Sequence, residues 1–207
     1  MKNLWKDAGI LFLITLISGL ILGFVYQITK APIALAEEKA QREAYAEVFS
    51  QASDFVKAEG GSALDSAWQS QWADAGFGGV SVDNVLTAVD ESGAHLGYVL
   101  TITSHEGYGG DITFTMGIAK DGTLNGISIL SISETPGLGM NAEAVLKPQF
   151  SNKKAPSFSY TKSGAQSDSE IDAISGATVT TRAVTTAVNG GLYYFQAQLG
   201  GNSYGTE

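Results

Sequence analysis

The chain has 207 residues, 12 Lys+Arg against 21 Asp+Glu for a formal charge of −9, two histidines and no cysteine. That length suits about one domain plus an appendage, and the acidic balance excludes a nucleic-acid binder, which needs a basic face for phosphates. The lack of cysteine excludes disulfides, thiolate-held clusters and thiol catalysis, while His95 and His105 are too few for an all-protein zinc site of the usual kind.

No charged residue occurs from Ala8 to Thr29. As a helix this run spans roughly 33 Å, enough for a hydrocarbon core of about 30 Å. Lys2 and Lys6 precede it, Lys30 closes it, and Trp5 and Tyr26 stand at its ends, where aromatic rings favour the membrane interface. Residues 1–30 are therefore read as a tail and a transmembrane helix. Ala34-Leu35-Ala36 resembles a signal cleavage site, but the apolar run is longer than a signal peptide requires, which favours an uncleaved anchor. Lys2 and Lys6, offset by Asp7, face Lys30, Lys39 and Arg42, so charge alone leaves the orientation open. Gly19 and Gly23 permit close helix approach, and ordinary composition gives the same pair.

Past residue 30 the balance is 9 basic against 20 acidic residues, a net −11. Residues 31–79 read as a helical stalk and packing helices: Leu35, Tyr45, Val48 and Phe49 have helical spacing, Gly60-Gly61 is a break, and Trp68 and Trp72 suggest a short helix. Four strands are expected over 82–90, 95–104, 111–120 and 124–133, separated by Glu91-Ser92-Gly93, Gly107-Tyr108-Gly109-Gly110 and Asp121-Gly122. Asp-Gly between apolar runs is a strong hairpin signal. Residues 141–150 read as a helix, 157–161 as a short strand and 178–199 as a long amphipathic helix. The expectation is an α+β domain over 80–199, an antiparallel sheet with flanking helices, and a flexible tail over 200–207.

Asp172-Ala173-Ile174-Ser175-Gly176-Ala177-Thr178 runs a small-residue loop into that last helix, whose first turn bears Thr180 and Thr181. As structure, Ser175 or Thr178 is an N-cap. As a site, the free N–H groups of the helix start favour an anion, and Gly176 and Ala177 let a phosphate approach the backbone. Glu134-Thr135-Pro136-Gly137-Leu138-Gly139 is the second feature. Pro136 and Gly137 shape a turn, Gly137 and Gly139 admit close approach, Leu138 offers an apolar contact, and Glu134 and Thr135 offer polar ones. A plain turn after a strand explains it equally. Gly137 to Ala142 also satisfies G-x-G-x-x-A, but Glu134-Thr135-Pro136 separates it from the strand and no βαβ unit follows, which excludes a dinucleotide site. Arg182 reads either as a phosphate contact or as a partner of acidic neighbours, and His105-Glu106 as a strand end.

The Asp-x-x-Ser-Gly-Ala-Thr pattern, complete from Asp172 to Thr178, resembles the flavinylation motif of extracytoplasmic FMN-binding domains. The resemblance implies that Thr178 carries FMN through a phosphoester bond installed from FAD by a flavin transferase. It also implies Ser175, Gly176 and Ala177 near the phosphate, and Asp172 as a recognition point for the transferase or its metal. The Glu134–Gly139 loop resembles the family's loop beside the flavin ring, implying contacts from Glu134, Thr135, Gly137 and Leu138. Gly107-Tyr108-Gly109-Gly110 resembles a further loop near the flavin; a hairpin turn is its structural reading. Lys162 is read as a charge partner for flavin or phosphate, or as a solvated lysine.

Anchor, loop and motif in this order resemble the G-subunit family of the Rnf complex, the ion-translocating ferredoxin:NAD oxidoreductase, along nearly the whole chain. The chain is also similar to the C subunit of the sodium-translocating NADH:quinone reductase, which is usually longer. The resemblance implies an electron relay with covalent FMN and no substrate pocket of its own. Its implied partners are other membrane subunits of the complex, the flavin transferase during maturation and the lipid bilayer. It further implies a single pass through the cell membrane, with the C-terminal domain extracytoplasmic. A membrane-anchored FMN sensor, and a ligand-binding ectodomain with a coincidental Ser-Gly-Ala-Thr loop, are the rival classes.

Overall fold

The computed structural model describes residues 2–58 and 70–200. They fall into two units, one ending at Arg42 and the other starting at Glu43. The expected break at Gly60-Gly61 and the residue Trp68 lie outside the described residues, as do residues 201–207.

The first unit is most of α1 (Lys2–Val48), 47 residues with Pro32 inside the helix. Its most apolar window has a mean hydropathy of 2.5 and none of it is buried within the protein. Leucine, isoleucine and phenylalanine therefore point outward all round, as a lipid-facing helix requires. Two hydroxyls inside the run are returned to the backbone. Thr15 Oγ1 donates to the carbonyls of Leu11 and Phe12, and Thr29 Oγ1 to those of Val25 and Tyr26. Hydrocarbon offers no acceptor, so this local bonding removes the cost of carrying them.

In the second unit five strands form an antiparallel meander in chain order: β1 (Asp54–Lys57), β2 (Val80–Val89), β3 (His95–Ser104), β4 (Ile112–Ala119) and β5 (Leu124–Ile132). The last four fall within one or two residues of the expected strands. Their turns have the expected chemistry. Gly93 and Gly122 take positive φ, Asp90 Oδ1 accepts the N–H groups of Ser92 and Ala94, and Asp121 Oδ1 accepts that of Thr123. β1 is the addition: it pairs along β2 from Asp54 opposite Val89 to Lys57 opposite Leu86, so the sheet begins before residue 80.

Alternation on the strands makes two buried faces. Leu100, Ile102, Phe114, Met116 and Ile118 face α3 (Thr178–Gln198), which buries Ala183, Val184, Ala187, Val188, Leu192 and Phe195 in the same core. Trp72 packs there against Tyr193 and Tyr194 and donates its ring N–H to the Val80 carbonyl at 2.7 Å. The other face carries Val99, Ala88, Gly97 and Gly117 and is covered by Tyr45, Val48 and Phe49 at the end of α1.

Between β5 and α3 the helix expected over 141–150 is broken into a 3-10 turn at Gly139–Asn141, the single turn α2 (Ala142–Val145) and a 3-10 turn at Lys147–Phe150. Pro148 cannot donate to an α-helical ladder, which accounts for the change. Two short strands, β6 (Ser159–Thr161) and β7 (Glu170–Asp172), pair in parallel and deliver the chain to α3. Asn189 on α3 holds the approach by pairing both its amide atoms with the backbone of Phe158.

The end of α1 is also held by a polar network. Glu47 accepts from Ser128 on β5 and from Lys147 at 2.7 Å, and Asn125 Nδ2 donates to the Val48 carbonyl. Desolvation pushes the Glu47 carboxyl up, but the hydrogen bonds from Lys147 and Ser128 and the lysine charge outweigh it and leave the group below 4.5. A lowered folded value means that the stabilisation is present above the unfolded value and is lost as pH falls through the folded one. Glu47→Gln should therefore cost about 1 kcal/mol or less near pH 7, since the pair is partly exposed, and nothing well below pH 4.5. Thermal melts of both proteins across that range test this; a cost independent of pH would contradict it.

Candidate functional site

Three short segments meet beside the start of α3: the turn between β3 and β4, the loop after β5, and the loop from β7 into the helix. Each owes its path to glycine. Gly176 has φ +76° and Gly137 φ +77°, where a side chain would be strained. A Cβ on Gly107, Gly109 or Gly139 would collide with atoms of the adjoining segments.

The residue entering α3 is Ala177, with φ −130° and ψ 53°, and no side chain caps the helix. Neither Ser175 nor Thr178 is the N-cap. Thr178 is already the first helical residue, and Ser175 is exposed one residue before Gly176. The first-turn N–H groups of Thr178, Val179 and Thr180 point out of the helix start without a side-chain acceptor, the arrangement that favours an anion. Thr181 instead stabilises the turn: its hydroxyl donates to the Ala177 carbonyl at 2.9 Å and accepts from the Ile174 N–H at 3.1 Å.

Glu134 joins the three segments. Its side chain is buried at 7% exposure. Oε1 accepts the backbone N–H groups of Tyr108 at 2.7 Å and Gly109 at 3.2 Å, and Oε2 accepts the Thr180 hydroxyl at 3.0 Å. Thr180 is itself 1% exposed. The carboxylate expected at the edge of a ligand is thus turned inward onto its own protein.

These segments enclose an open cleft of about 490 Å3, lined by Tyr108, Glu134, Thr135, Leu138, Gly139 and residues 176–180. That volume falls in the range of small-molecule sites, about 300–1,000 Å3. Among the described residues from Glu43 onward, the exposed large apolar side chains are Val56, Tyr108, Leu138, Met140 and Val179. Three of these, Tyr108, Leu138 and Val179, line the cleft, so its rim is apolar while its floor presents backbone N–H groups and hydroxyls.

Of the residues singled out from sequence, Tyr108, Glu134, Thr135, Leu138, Gly139, Gly176, Ala177 and Thr178 line the cleft. Gly137 shapes the loop without lining it, and its carbonyl accepts from Asn141. Ser175 and Lys162 are exposed and stand outside the lining, Lys162 just after β6. Asp172 ends β7; its carboxylate accepts the Ala165 N–H, and its backbone pairs with the Gln149 side chain. Arg182 is exposed and does not line the cleft. His105 ends β3 and meets Asp111 at 3.0 Å, which fits a strand-end role. The sequence reading missed Val179 and Thr180 as lining residues. Their only sequence signal is position within the first helical turn.

The C-terminal part of the chain, residues 107–193, matches the family model described as FMN-binding domain, and residues 1–48 match the one described as RnfG N-terminal region. Over 201 residues the chain is 31% identical to the G subunit of the ion-translocating oxidoreductase complex of Methanosarcina acetivorans, covering 96% of this chain and 98% of that relative. It is 30% identical over 191 residues to the G subunit of the proton-translocating ferredoxin:NAD(+) oxidoreductase complex of Clostridium ljungdahlii, covering 88% and 90%. A 36% identity over 107 residues links it to the G subunit of the Na(+)-translocating ferredoxin:NAD(+) oxidoreductase complex of Acetobacterium woodii, covering 51% and 52%. The chain belongs to the G-subunit family of ion-translocating oxidoreductase complexes.

Proposed function

We propose that this member of the G-subunit family is a membrane-anchored flavoprotein that carries FMN on Thr178 through a phosphoester bond and relays electrons within an ion-translocating ferredoxin:NAD oxidoreductase complex. α1 is the anchor, and the domain from Glu43 onward works on the extracytoplasmic side. The other membrane subunits of the complex are its partners in the relay.

The observation that carries the attachment site is the state of the hydroxyls at the helix start. Thr180 is buried and donates to Glu134, and Thr181 is buried and bonded to Ala177 and Ile174. Thr178 lines the cleft, is only half-buried, and has no such commitment. It is the hydroxyl of that turn positioned for a transferase to reach.

The surrounding residues fit FMN. Gly176 presents no Cβ beside the threonine, the first-turn N–H groups suit a phosphate, and Leu138, Tyr108 and Val179 suit a flat apolar ring. In the attachment step, performed by a flavin transferase with FAD, the Thr178 oxygen forms a bond to the flavin-side phosphorus. The pyrophosphate bond breaks, AMP leaves, and the hydroxyl proton passes to solvent. FMN supplies the redox chemistry, and the chain supplies its position and surroundings. Asp172 and Lys162, exposed on the approach to α3, are available to the transferase rather than to the cleft. Ion passage belongs to other subunits, because a span without a charged residue from Ala8 to Thr29 provides no polar pathway.

Intact mass spectrometry of the full chain, expressed with and without a flavin transferase, tests the reading. The expected result is a mass increase of one esterified FMN only when the transferase is present. An unchanged mass in its presence overturns the covalent assignment.

A further inference from the structure

We infer that Glu134 is a positioning residue: its carboxylate clamps the 107–110 turn to the first turn of α3, and its negative charge sets how readily the bound flavin is reduced. The second half rests on the proposed placement of FMN in this cleft; the clamp does not.

Three donors from two other segments converge on this one side chain. Tyr108 and Gly109 supply backbone N–H groups, and Thr180 supplies a hydroxyl from inside the helix start. Hydrogen bonds to a charged acceptor are shorter and stronger than neutral ones. The surrounding glycines make room for the same group. A Cβ on Gly107 would lie 2.7 Å from Glu134 Oε1, and a Cβ on Gly139 would lie 2.7 Å from Oε2 and 2.6 Å from Thr180 Oγ1. A Cβ on Gly109 would strike the Ser133 carbonyl just before the glutamate. Gly107 and Gly139 thus leave room for the carboxylate itself, Gly107 also for the Gly110 carbonyl, whereas Gly137 is set by its positive φ.

The consequence for redox chemistry follows from place and sign. Glu134 lines the cleft yet is buried, so its charge is poorly screened by solvent. Among the described residues, no basic side chain lines the cleft to offset it. A fixed negative charge beside a group that gains electrons disfavours the reduced form and lowers its potential.

Two substitutions in the full flavinylated chain separate geometry from charge. Glu134→Gln keeps an oxygen for Tyr108 and Gly109 and turns an amide toward the Thr180 oxygen, so the clamp persists without its charge. It should keep covalent flavin, as read by in-gel fluorescence, and show a midpoint potential higher than the parent chain. Glu134→Ala removes all three bonds. Amide exchange at Tyr108 and Gly109 should rise by about tenfold or more, measured in the chain before flavin attachment. Parent-like exchange at both amides in Glu134→Ala overturns the clamp. A parent-like potential in Glu134→Gln overturns the charge role. A parent chain that never acquires flavin defeats the proposed function instead, while the exchange measurement still decides the clamp.

Discussion

Thr178→Ala should abolish covalent flavin, on the proposed attachment, while leaving the protein folded and membrane-inserted. The change deletes a hydroxyl that makes none of the bonds holding the helix start together. It places the best helix former at the first helical position, so the effect on stability should stay within about 0.5 kcal/mol. In-gel fluorescence after denaturation reads the covalent bond directly, since unattached flavin runs away from the chain. The expected signal is background, against full intensity in the parent. Undiminished fluorescence would move the attachment to another residue.

Thr180→Ala provides the contrast and guards against a trivial explanation. It removes the donor to Glu134 Oε2 inside the protein and leaves a buried carboxylate oxygen short of a partner. A cost of about 1–3 kcal/mol follows, visible in a thermal melt. Covalent flavin should persist, because the proposed acceptor hydroxyl of Thr178 is untouched. Two threonines two residues apart should thus separate, one in chemistry with no stability effect, the other in stability with chemistry retained.

The pattern of what could be read in advance has physical causes. β2 to β5 were legible because each runs at least eight residues with apolar alternation and is closed by a turn of recognisable chemistry, Asp90 to Gly93 or Asp121-Gly122. β1 and β7 were not, since four and three residues carry no usable period and form only because β2 and β6 offer an edge. The helix expected over 141–150 had the composition but also Pro148, and the proline prevailed. At the site, residue types were readable and orientations were not. Glu134 stands in a loop whose sequence allows it to face outward. It turns inward because Tyr108 N–H and Thr180 Oγ1, 26 and 46 residues away in sequence, meet it there. Capping departs from expectation for a related reason. Local preference favours Ser or Thr at the cap, yet Thr181 already secures the loop from within the helix through Ala177 and Ile174, leaving Ala177 as the cap.

Gly117→Val should be a strongly damaging change on the sheet face away from α3. Gly117 pairs with Val99 on β3, and Val99 belongs to the cluster covered by Val48 and Phe49. Any Cβ there would lie 2.6 Å from the Val48 carbonyl oxygen, 3.0 Å from Val48 Cβ and 3.1 Å from the Phe49 ring. The first obstacle is backbone, so a rotamer change cannot relieve it. Valine improves strand propensity by at most about 1 kcal/mol. Overpacking costs about 1–3 kcal/mol or more, and here it also displaces the segment that carries Glu47 to Ser128 and Lys147. A net loss of about 2–3 kcal/mol is expected, lowering the melting temperature of the domain by about 5–10 °C. Gly93→Ala is the reference for backbone strain without crowding: φ is +80° and no atom stands within 4 Å of the added carbon. Its cost should be about 1–2 kcal/mol from conformation alone. Hydrogen exchange distinguishes the two mechanisms. Gly117→Val should speed exchange around Ala88 and Val99 while sparing Leu100 and Ile102, which face α3, and the chain should still take up flavin at Thr178. A melt within about 2 °C of the parent would show that the end of α1 does not seal this face.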